Sequence, residues 1–256
     1  MEKVKLTSEN GVSIITLNRP ESYNALDVET LHELSNHLET VKNNDDSVLI
    51  LTGEGKAFSA GGDIQMMRKM TEIEQFNGLM DTVTDIAMEL YLMPKMVISA
   101  VNGSAAGLGL SVALNADYIV ANDQARFGVL FAGIGLIPDC GAHFFLEQRL
   151  GVHAAKQFMW SLEQVSGEEA KRYGFVDVMT DGDALEAAKH LAAKLSASPI
   201  LALVESKLLL HGQKADLLRD TLEREKVGQL KMRGTKDHAE GVDAFLNKRK
   251  PNFIGE

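Results

Sequence analysis

The sequence predicts an α/β fold, and two patterns carry that prediction. Short apolar runs bounded by Gly or Pro recur up to about residue 180, as the strands of a buried sheet do. Stretches with apolar residues at helical spacing lie between these runs. Strands that alternate with helices are typical of an α/β layout, although the uneven gaps show no repeat of fixed length.

Five strands are predicted. The first alternates between apolar and polar residues and stops at Pro20, which is typical of a strand end. The others are short apolar runs, a pattern that favours strands buried on both faces. In chain order, the predicted strands are 11–20, 47–55, 96–103, 117–121 and 175–179.

Two helices are predicted between these strands. Segment 104–116 is rich in small residues and apolar nearly all round, which indicates a buried helix. Segment 29–44 has one apolar face instead, formed by Leu31, Leu34, Leu38 and Val41.

The residue composition of the chain changes after the break SASP at 196–199. The following residues are charged and helical without any strand signal, and they end in a basic cluster at 245–253. We therefore predict a core of residues 1–195 and a C-terminal helical region of residues 196–256. A region this small buries little surface alone, so we expect it to pack on the core or on a neighbouring subunit.

Composition excludes several classes of function. The 256 residues carry a net charge of -10, whereas binding to nucleic acid or to an anionic membrane requires a positive surface. No apolar run has the length of a transmembrane helix or a signal peptide. The single cysteine, Cys140, permits no intrachain disulfide, which fits a reducing compartment. We therefore expect a cytoplasmic protein.

No cofactor or metal is predicted. The chain contains neither a dinucleotide-binding G-x-G-x-x-G nor a P-loop, and it has no nucleophile elbow G-x-S-x-G. The seven histidines lack the spacing of metal ligands, and His32 and His37 belong to a helix predicted to face solvent.

Two turns rich in small residues are candidates for a functional site. They are KAFSAGGDI at 56–64 and VNGSAAGLGL at 101–110, and each follows a predicted strand and precedes a helix. Small residues let backbone N–H groups approach a ligand closely, and a helix N-terminus favours negative charge. Two such turns facing each other can hold one developing oxyanion. Tight packing between strand and helix explains the same residues equally well.

Several motifs in order resemble those of a known family. They are LNRPESYNALD, KAFSAGGDI, VNGSAAGLGLSVALNADYIVA, ARFGVLFAGIGLIPDCG and AFLNKRKPNF, and they span residues 12–253. This series is similar to the crotonase superfamily, the enoyl-CoA hydratase/isomerase family. The resemblance implies a spiral of ββα turns with a C-terminal helical region, a homotrimer or a dimer of trimers, and an acyl-CoA substrate.

The same resemblance implies the residues of the site. The thioester oxygen would accept hydrogen bonds from the N–H groups of Ala60 and Leu108. Many relatives have Gly in place of Leu108, but only the backbone donates there. The acyl-CoA would contact Ala25, Ala60, Gly61, Gly62, Asp63, Ile64, Gly107, Leu108, Phe131 and Lys248.

The chain departs from the hydratases of this family at both of their acidic positions. Ser111 and Phe131 stand where similar hydratases carry two glutamates, and neither side chain can act as a general acid or base at neutral pH. Addition of water is therefore poorly supported.

Asp139 is the alternative acid. It lies alone in the apolar segment GIGLIPDCG at 133–141, where some isomerases of the superfamily carry their single acid. Such a group would move a proton between two carbons of an enolate, and apolar neighbours would raise its basicity. The competing interpretation is that Asp139 only caps the helix starting near Gly141.

Other residues allow weaker inferences. Asp63 is expected to cap the next helix, and His143 is expected to be a surface or satisfied histidine rather than a partner of Asp139. Lys248 is expected to meet a phosphate of coenzyme A or to belong to a solvated basic tail, and Cys140 is read as a small core residue. The leading hypothesis is an enoyl-CoA isomerase. The alternatives are an enoyl-CoA hydratase or related lyase and a non-catalytic acyl-CoA-binding scaffold.

Overall fold

Two β-sheets organise the chain in the computed structural model, which describes residues 2–256. The strands are Val4–Glu9 (β1), Val12–Leu17 (β2), Val48–Gly53 (β3), Ala57–Ser59 (β4), Met96–Val101 (β5), Ser104–Ala106 (β6), Tyr118–Asn122 (β7), Arg126–Gly128 (β8), Val165–Ser166 (β9) and Val178–Thr180 (β10). The helices are Val28–Lys42 (α1), Ile64–Lys69 (α2), Ile73–Tyr91 (α3), Leu108–Leu114 (α4), Ala142–Ser161 (α5), Gly167–Tyr173 (α6), Ala184–Ser196 (α7), Ile200–Gly212 (α8), Ala215–Arg233 (α9) and Lys236–Leu246 (α10).

A repeated ββα unit generates both sheets. In the units that begin with β3, β5 and β7, the first strand joins a large sheet of order β1-β2-β3-β5-β7-β10, and the second joins a small sheet of order β4-β6-β8-β9. The first pair, β1 and β2, lies wholly in the large sheet, and the last pair is reversed, with β9 in the small sheet and β10 in the large one. In the large sheet the strands β2, β3, β5, β7 and β10 are parallel, and β1 is antiparallel to β2. In the small sheet β4, β6 and β8 are parallel, and β9 is antiparallel to β8. The α/β spiral of ββα turns expected from the sequence is confirmed.

The central strands are buried on both faces, as their continuous apolar runs predict. Every residue of β3 and β5 is buried. One face of the large sheet packs against α7 through Ala184, Ala188 and Ala192, whose small side chains let the helix approach closely. The other face belongs to the main core, which contains the apolar stripe of α1. Asp27 begins α1 because its side chain accepts a hydrogen bond from Thr30 N at 2.8 Å.

Two of the sequence-based elements differ in the structure. The predicted helix 104–116 begins as the short strand β6, because residues 104–106 pair with both β4 and β8 in the small sheet. The predicted strand 175–179 is shifted to β10, since Phe175 and Val176 are buried as irregular chain before pairing with β7 begins.

The C-terminal helices α8 and α9 pack on the rest of the same chain. Lys207 of α8 is 7% exposed, and its Nζ donates to Asp117 Oδ2 at 2.7 Å and to the carbonyl oxygen of Lys95 at 2.8 Å. Helix α9 lies against α3 and α5 and buries Leu218 and Leu222 in the main core. This position brings residues of α9 to the turns that precede α2 and α4.

No helix within residues 2–256 combines the length and the apolar character needed to cross a membrane.

Candidate active site

The two turns predicted to carry chemistry meet each other in the structure. Gly61 follows β4 with a positive φ of 96°, and a methyl group built on it would lie 2.7 Å from the carbonyl oxygen of Ala106. The same methyl would lie 3.3 Å from the backbone nitrogen of Leu108. Only glycine allows this approach, since a side chain would strain the backbone and push the turns apart.

One of the two predicted oxyanion donors is wrong. The N–H of Ala60 already donates to the carbonyl oxygen of Tyr23 at 2.9 Å, so it is not available to a ligand. The N–H groups of Gly62 and Leu108, by contrast, find no acceptor among residues 2–256. Leu108 is the first residue of α4, so its N–H has no partner inside the helix. The two free donors are therefore those of Gly62 and Leu108.

A cavity, called here the inner cavity, opens where these two residues lie. Its wall is largely apolar, which suits an acyl chain. Among the described residues, Asp139 is the one carboxylate on this wall. The lining residues are Leu26, Leu31, Gly62, Met66, Met67, Phe76, Leu79, Met80, Val83, Leu108, Leu136, Asp139, Gln229 and Arg233.

Asp139 has one oxygen held and one oxygen free. Its Oδ2 accepts a hydrogen bond from Gln229 Nε2 at 2.9 Å, and the same amide nitrogen donates to the carbonyl oxygen of Ile137 at 2.6 Å. Its Oδ1 is buried and has no partner within the described part of the chain. Burial, assisted by the nearby Glu225 carboxylate, raises the pKa of Asp139 well above its usual value, and the Gln229 hydrogen bond opposes this.

Asp139 does not cap the following helix with its side chain. Helix α5 starts after Gly141 without a cap from the local sequence, and Glu225 of α9 supplies one instead. Its Oε2 accepts from Gly141 N at 2.8 Å, and its Oε1 accepts from His143 N at 3.2 Å. The Glu225 carboxylate also binds His143 Nδ1 at 2.7 Å, so His143 is satisfied away from Asp139, as expected. The cap interpretation of Asp139 is thereby corrected.

The positions of the two hydratase glutamates carry no acid–base group here. Ser111 is buried, and its Oγ donates back to the carbonyl oxygen of Gly107 at 3.3 Å. Phe131 is also buried and lies beside Gly107, with no place on the wall of the inner cavity.

A second, more open pocket adjoins the inner cavity and shares Met66 with it. We call it the outer pocket. Asp63 lies on its wall and caps α2 by accepting from Gln65 N at 3.0 Å and Met66 N at 3.1 Å, as expected. The pocket is lined by Lys3, Asp27, Val28, Glu29, Asp63, Gln65, Met66, Lys69, Met70 and Gln75.

The remaining predicted residues lie apart from the cavity walls. The carbonyl oxygen of Ala25 accepts from Arg19 Nη1 at 2.6 Å, and Ile64 begins α2. Gly107 has a φ of 52° and caps α4, while its N–H donates to the carbonyl oxygen of Gly128 at 2.9 Å. Lys248 follows α10 and is exposed. Cys140 is 1% exposed within the main core, as expected.

The sequence reasoning missed Glu225, Gln229 and Arg233. All three belong to α9, which the sequence predicts only as part of the C-terminal helical region. A signal was present, because the buried residues Leu218 and Leu222 are followed at helical spacing by Glu225 and Gln229. Polar residues that continue an apolar stripe are buried polar groups, and such groups need partners.

No grouping of three or more His, Cys, Asp or Glu side chains suited to a metal ion occurs in the described chain. The site combines the backbone N–H donors of Gly62 and Leu108 with the carboxyl group of Asp139.

Comparisons with known proteins point to one family. The sequence profile of the family described as Enoyl-CoA hydratase/isomerase matches residues 7–256. A Bacillus subtilis (strain 168) protein provisionally named as an enoyl-CoA hydratase/isomerase, YhaR, is 42% identical over 99% of each chain. The 1,2-epoxyphenylacetyl-CoA isomerase of Escherichia coli (strain K12) is 34% identical over 100% of each chain. A crystal structure of an enoyl-CoA hydratase from Mycobacterium avium subsp. paratuberculosis K-10 matches with a TM-score of 0.89 and 28% identity, covering 98% of each chain.

Proposed function

Because the chain belongs to the enoyl-CoA hydratase/isomerase family, we propose that it is an acyl-CoA isomerase in which Asp139 is the single acid–base group. The reaction moves a double bond from the Δ3 to the Δ2 position of an enoyl-CoA. The observation that carries the proposal is the placement of Asp139, which lines one cavity with Gly62 and Leu108 and has one buried oxygen without a partner among residues 2–256.

The proposed chemistry begins with proton removal. The thioester makes the protons on carbon 2 acidic, and Asp139 Oδ1 takes one of them. The electron pair moves into the thioester, and the oxygen that gains charge accepts hydrogen bonds from the N–H groups of Gly62 and Leu108. Donors held in place before the reaction stabilise such charge without reorganisation.

The second step returns the proton. The double bond between carbons 3 and 4 shifts to carbons 2 and 3 as Asp139 gives the same proton to carbon 4. No water or second acid is consumed, so one carboxyl group suffices. The raised pKa of Asp139 suits both steps, because a more basic carboxylate takes a proton more readily and holds it until transfer.

Gln229 is proposed to keep the reacting oxygen in place. Its amide nitrogen is fixed between Ile137 and Asp139, so Oδ2 stays engaged while Oδ1 is left without a partner among residues 2–256. Gln229 acts through Asp139 and is a positioning residue rather than a catalytic one.

Hydration is the alternative that relatives' names suggest. It requires one group to activate water and another to handle the proton on the adjacent carbon. Ser111 and Phe131 occupy the corresponding positions, and the inner cavity has one carboxylate within residues 2–256. These features favour isomerisation.

One experiment separates the candidates. The purified protein is offered 3-hexenoyl-CoA and 2-hexenoyl-CoA, and double-bond migration is followed alongside water addition. Isomerisation much faster than hydration supports the proposal. Predominant hydration would establish the hydratase alternative, and the absence of both reactions with retained acyl-CoA binding would establish a scaffold.

We further propose that the chain works in the cytoplasm as a homotrimer or a dimer of trimers, with coenzyme A entering only as part of the substrate. Exposed leucines of the C-terminal region support an oligomer, since Leu201, Leu209 and Leu210 of α8 are 80%, 63% and 61% exposed. Analytical ultracentrifugation tests this, and a monomer at micromolar concentration would contradict it.

A further inference from the structure

Arg233 places an unbalanced positive charge in the wall of the inner cavity. It ends α9, and its Nη2 donates to the carbonyl oxygen of Met70 at 2.6 Å. Its guanidinium carbon lies 4.6 Å from the ring centroid of Phe76. No Asp or Glu in the part of the chain that the structure describes forms an ion pair with it.

Other arginines in similar surroundings are paired in this protein. Arg19 binds both Asp27 and Asp63, and Arg149 binds Asp177, although both side chains are mostly buried. A guanidinium has five N–H donors in a rigid fork and stays charged in proteins. Arg233 is half-buried, and in the part of the chain that the structure describes one of these donors is bonded to the protein and no carboxylate balances the charge. An anion is therefore the missing partner.

The position of Arg233 on α9 indicates which kind of anion would bind to it. It lies four residues after Gln229 on α9, which corresponds to about 6 Å along the helix axis. Because Gln229 holds Asp139, a chain with its reacting carbons at Asp139 needs only a few more carbons to reach Arg233. Apolar side chains such as Phe76 and Met80 line the cavity that holds both groups.

We propose that Arg233 binds a carboxylate at the far end of the acyl chain, so that short ω-carboxyacyl-CoA thioesters are preferred ligands of this site. The proposal rests on the proposed function, because it assumes that the reacting carbons lie at Asp139. Arginine and carboxylate match in shape and form paired hydrogen bonds. A phosphate of coenzyme A is the other anionic source, but Arg233 lines the inner cavity rather than the outer pocket.

The experiment measures binding of saturated ligands, so it does not depend on isomerase activity. Dissociation constants of adipoyl-CoA and hexanoyl-CoA are determined by calorimetry for the full chain. We expect adipoyl-CoA to bind the wild type about 10–100-fold more tightly, the usual effect of a hydrogen bond to a charged group. In Arg233→Met the ratio of the two dissociation constants should fall to about one, and Arg233→Lys should restore part of the preference for adipoyl-CoA. Arg224→Met, on the exposed face of the same helix, should keep the ratio.

Several outcomes would overturn the proposal. Equal affinities of the wild type for the two ligands would do so while leaving the proposed isomerase intact. An Arg233→Met effect equal for both ligands would point to a structural role, or to a phosphate contact if the effect disappears with pantetheine thioesters. No binding of either ligand would overturn this proposal together with the proposed function. Thermal unfolding of Arg233→Met and Arg233→Lys verifies that both variants are folded.

Discussion

Gln229 Nε2 lies 2.9 Å from Asp139 Oδ2, while Asp139 Oδ1 is buried without a partner among residues 2–256. The two oxygens of one carboxyl group are therefore distinct, although they are chemically equivalent in the free amino acid. A buried polar atom without a partner costs free energy, and within the described chain Asp139 Oδ1 is the one such side-chain atom among the residues that line the inner cavity.

Gln229→Leu should weaken catalysis and move its pH dependence. Loss of a hydrogen bond to the charged carboxylate should lower kcat at neutral pH by about 10–100-fold. That hydrogen bond lowers the pKa of Asp139, so its removal raises the pKa and shifts the acidic limb of the kcat/KM profile to higher pH. The measurement is the pH profile of isomerisation.

Glu225→Gln is the matched control on the same helix. The Glu225 carboxylate raises the pKa of Asp139, so its neutralisation should shift the acidic limb to lower pH. Shifts in the same direction for both variants, or no shift in either, would show that α9 does not set the basicity of Asp139.

Asp139→Asn should stabilise the fold at high pH. Because burial raises the pKa of Asp139 in the folded state, the folded chain retains a proton that the unfolded chain has lost. The stability of the wild type therefore falls as the pH rises from the ordinary aspartate pKa to the raised one. Removing a buried charge should increase the free energy of unfolding by about 1–3 kcal/mol at pH 8 and by much less near pH 4. Urea denaturation at several pH values measures this, and a pH-independent difference would be inconsistent with a raised pKa.

Gly61→Ala should disable the proposed oxyanion hole. The added methyl would meet the carbonyl oxygen of Ala106 at 2.7 Å in a backbone with positive φ, so the two turns must separate. Loss of one aligned donor costs about 10²–10³-fold in kcat. Gly78→Ala is the control, since its methyl on the exposed face of α3 would meet nothing within 4 Å. The measurement is the steady-state kcat of both variants. A near-normal kcat of Gly61→Ala would show that these turns do not take part in catalysis.

Lys248→Ala tests the basic tail. If Lys248 meets a phosphate of coenzyme A, in its own subunit or across a subunit boundary, its removal should raise KM about 2–5-fold and leave kcat nearly intact. The effect should shrink at high salt and with pantetheine thioesters. An equal effect on pantetheine substrates would exclude a phosphate contact, and sedimentation would then show whether the tail acts in subunit packing.

The parts of the fold that follow local rules were predictable from sequence. The apolar run of β3 and the helical stripe of α1 are determined by residues close together in the chain. Asp139 could also be identified from the sequence, because it is the single charged residue in the otherwise apolar segment 133–141.

The parts that depend on distant contacts were not predictable. Whether the N–H of Ala60 is free depends on the carbonyl oxygen of Tyr23, which lies in a separate turn. The partner of Asp139 is 90 residues further along the chain, on a helix whose docking no local pattern reveals. The partners of Asp139 and the free N–H donors could therefore be identified only from the structure, whereas Asp139 itself could be identified from the sequence.

The most direct test of the central claim is the kcat of Asp139→Asn for conversion of 3-hexenoyl-CoA to 2-hexenoyl-CoA. Asparagine keeps the shape and still accepts a hydrogen bond from Gln229, but it cannot exchange a proton with substrate. With Asp139 as the only acid–base group, kcat should fall by about 10²–10⁴-fold while the variant remains folded. A kcat within a few-fold of the wild type would contradict the account.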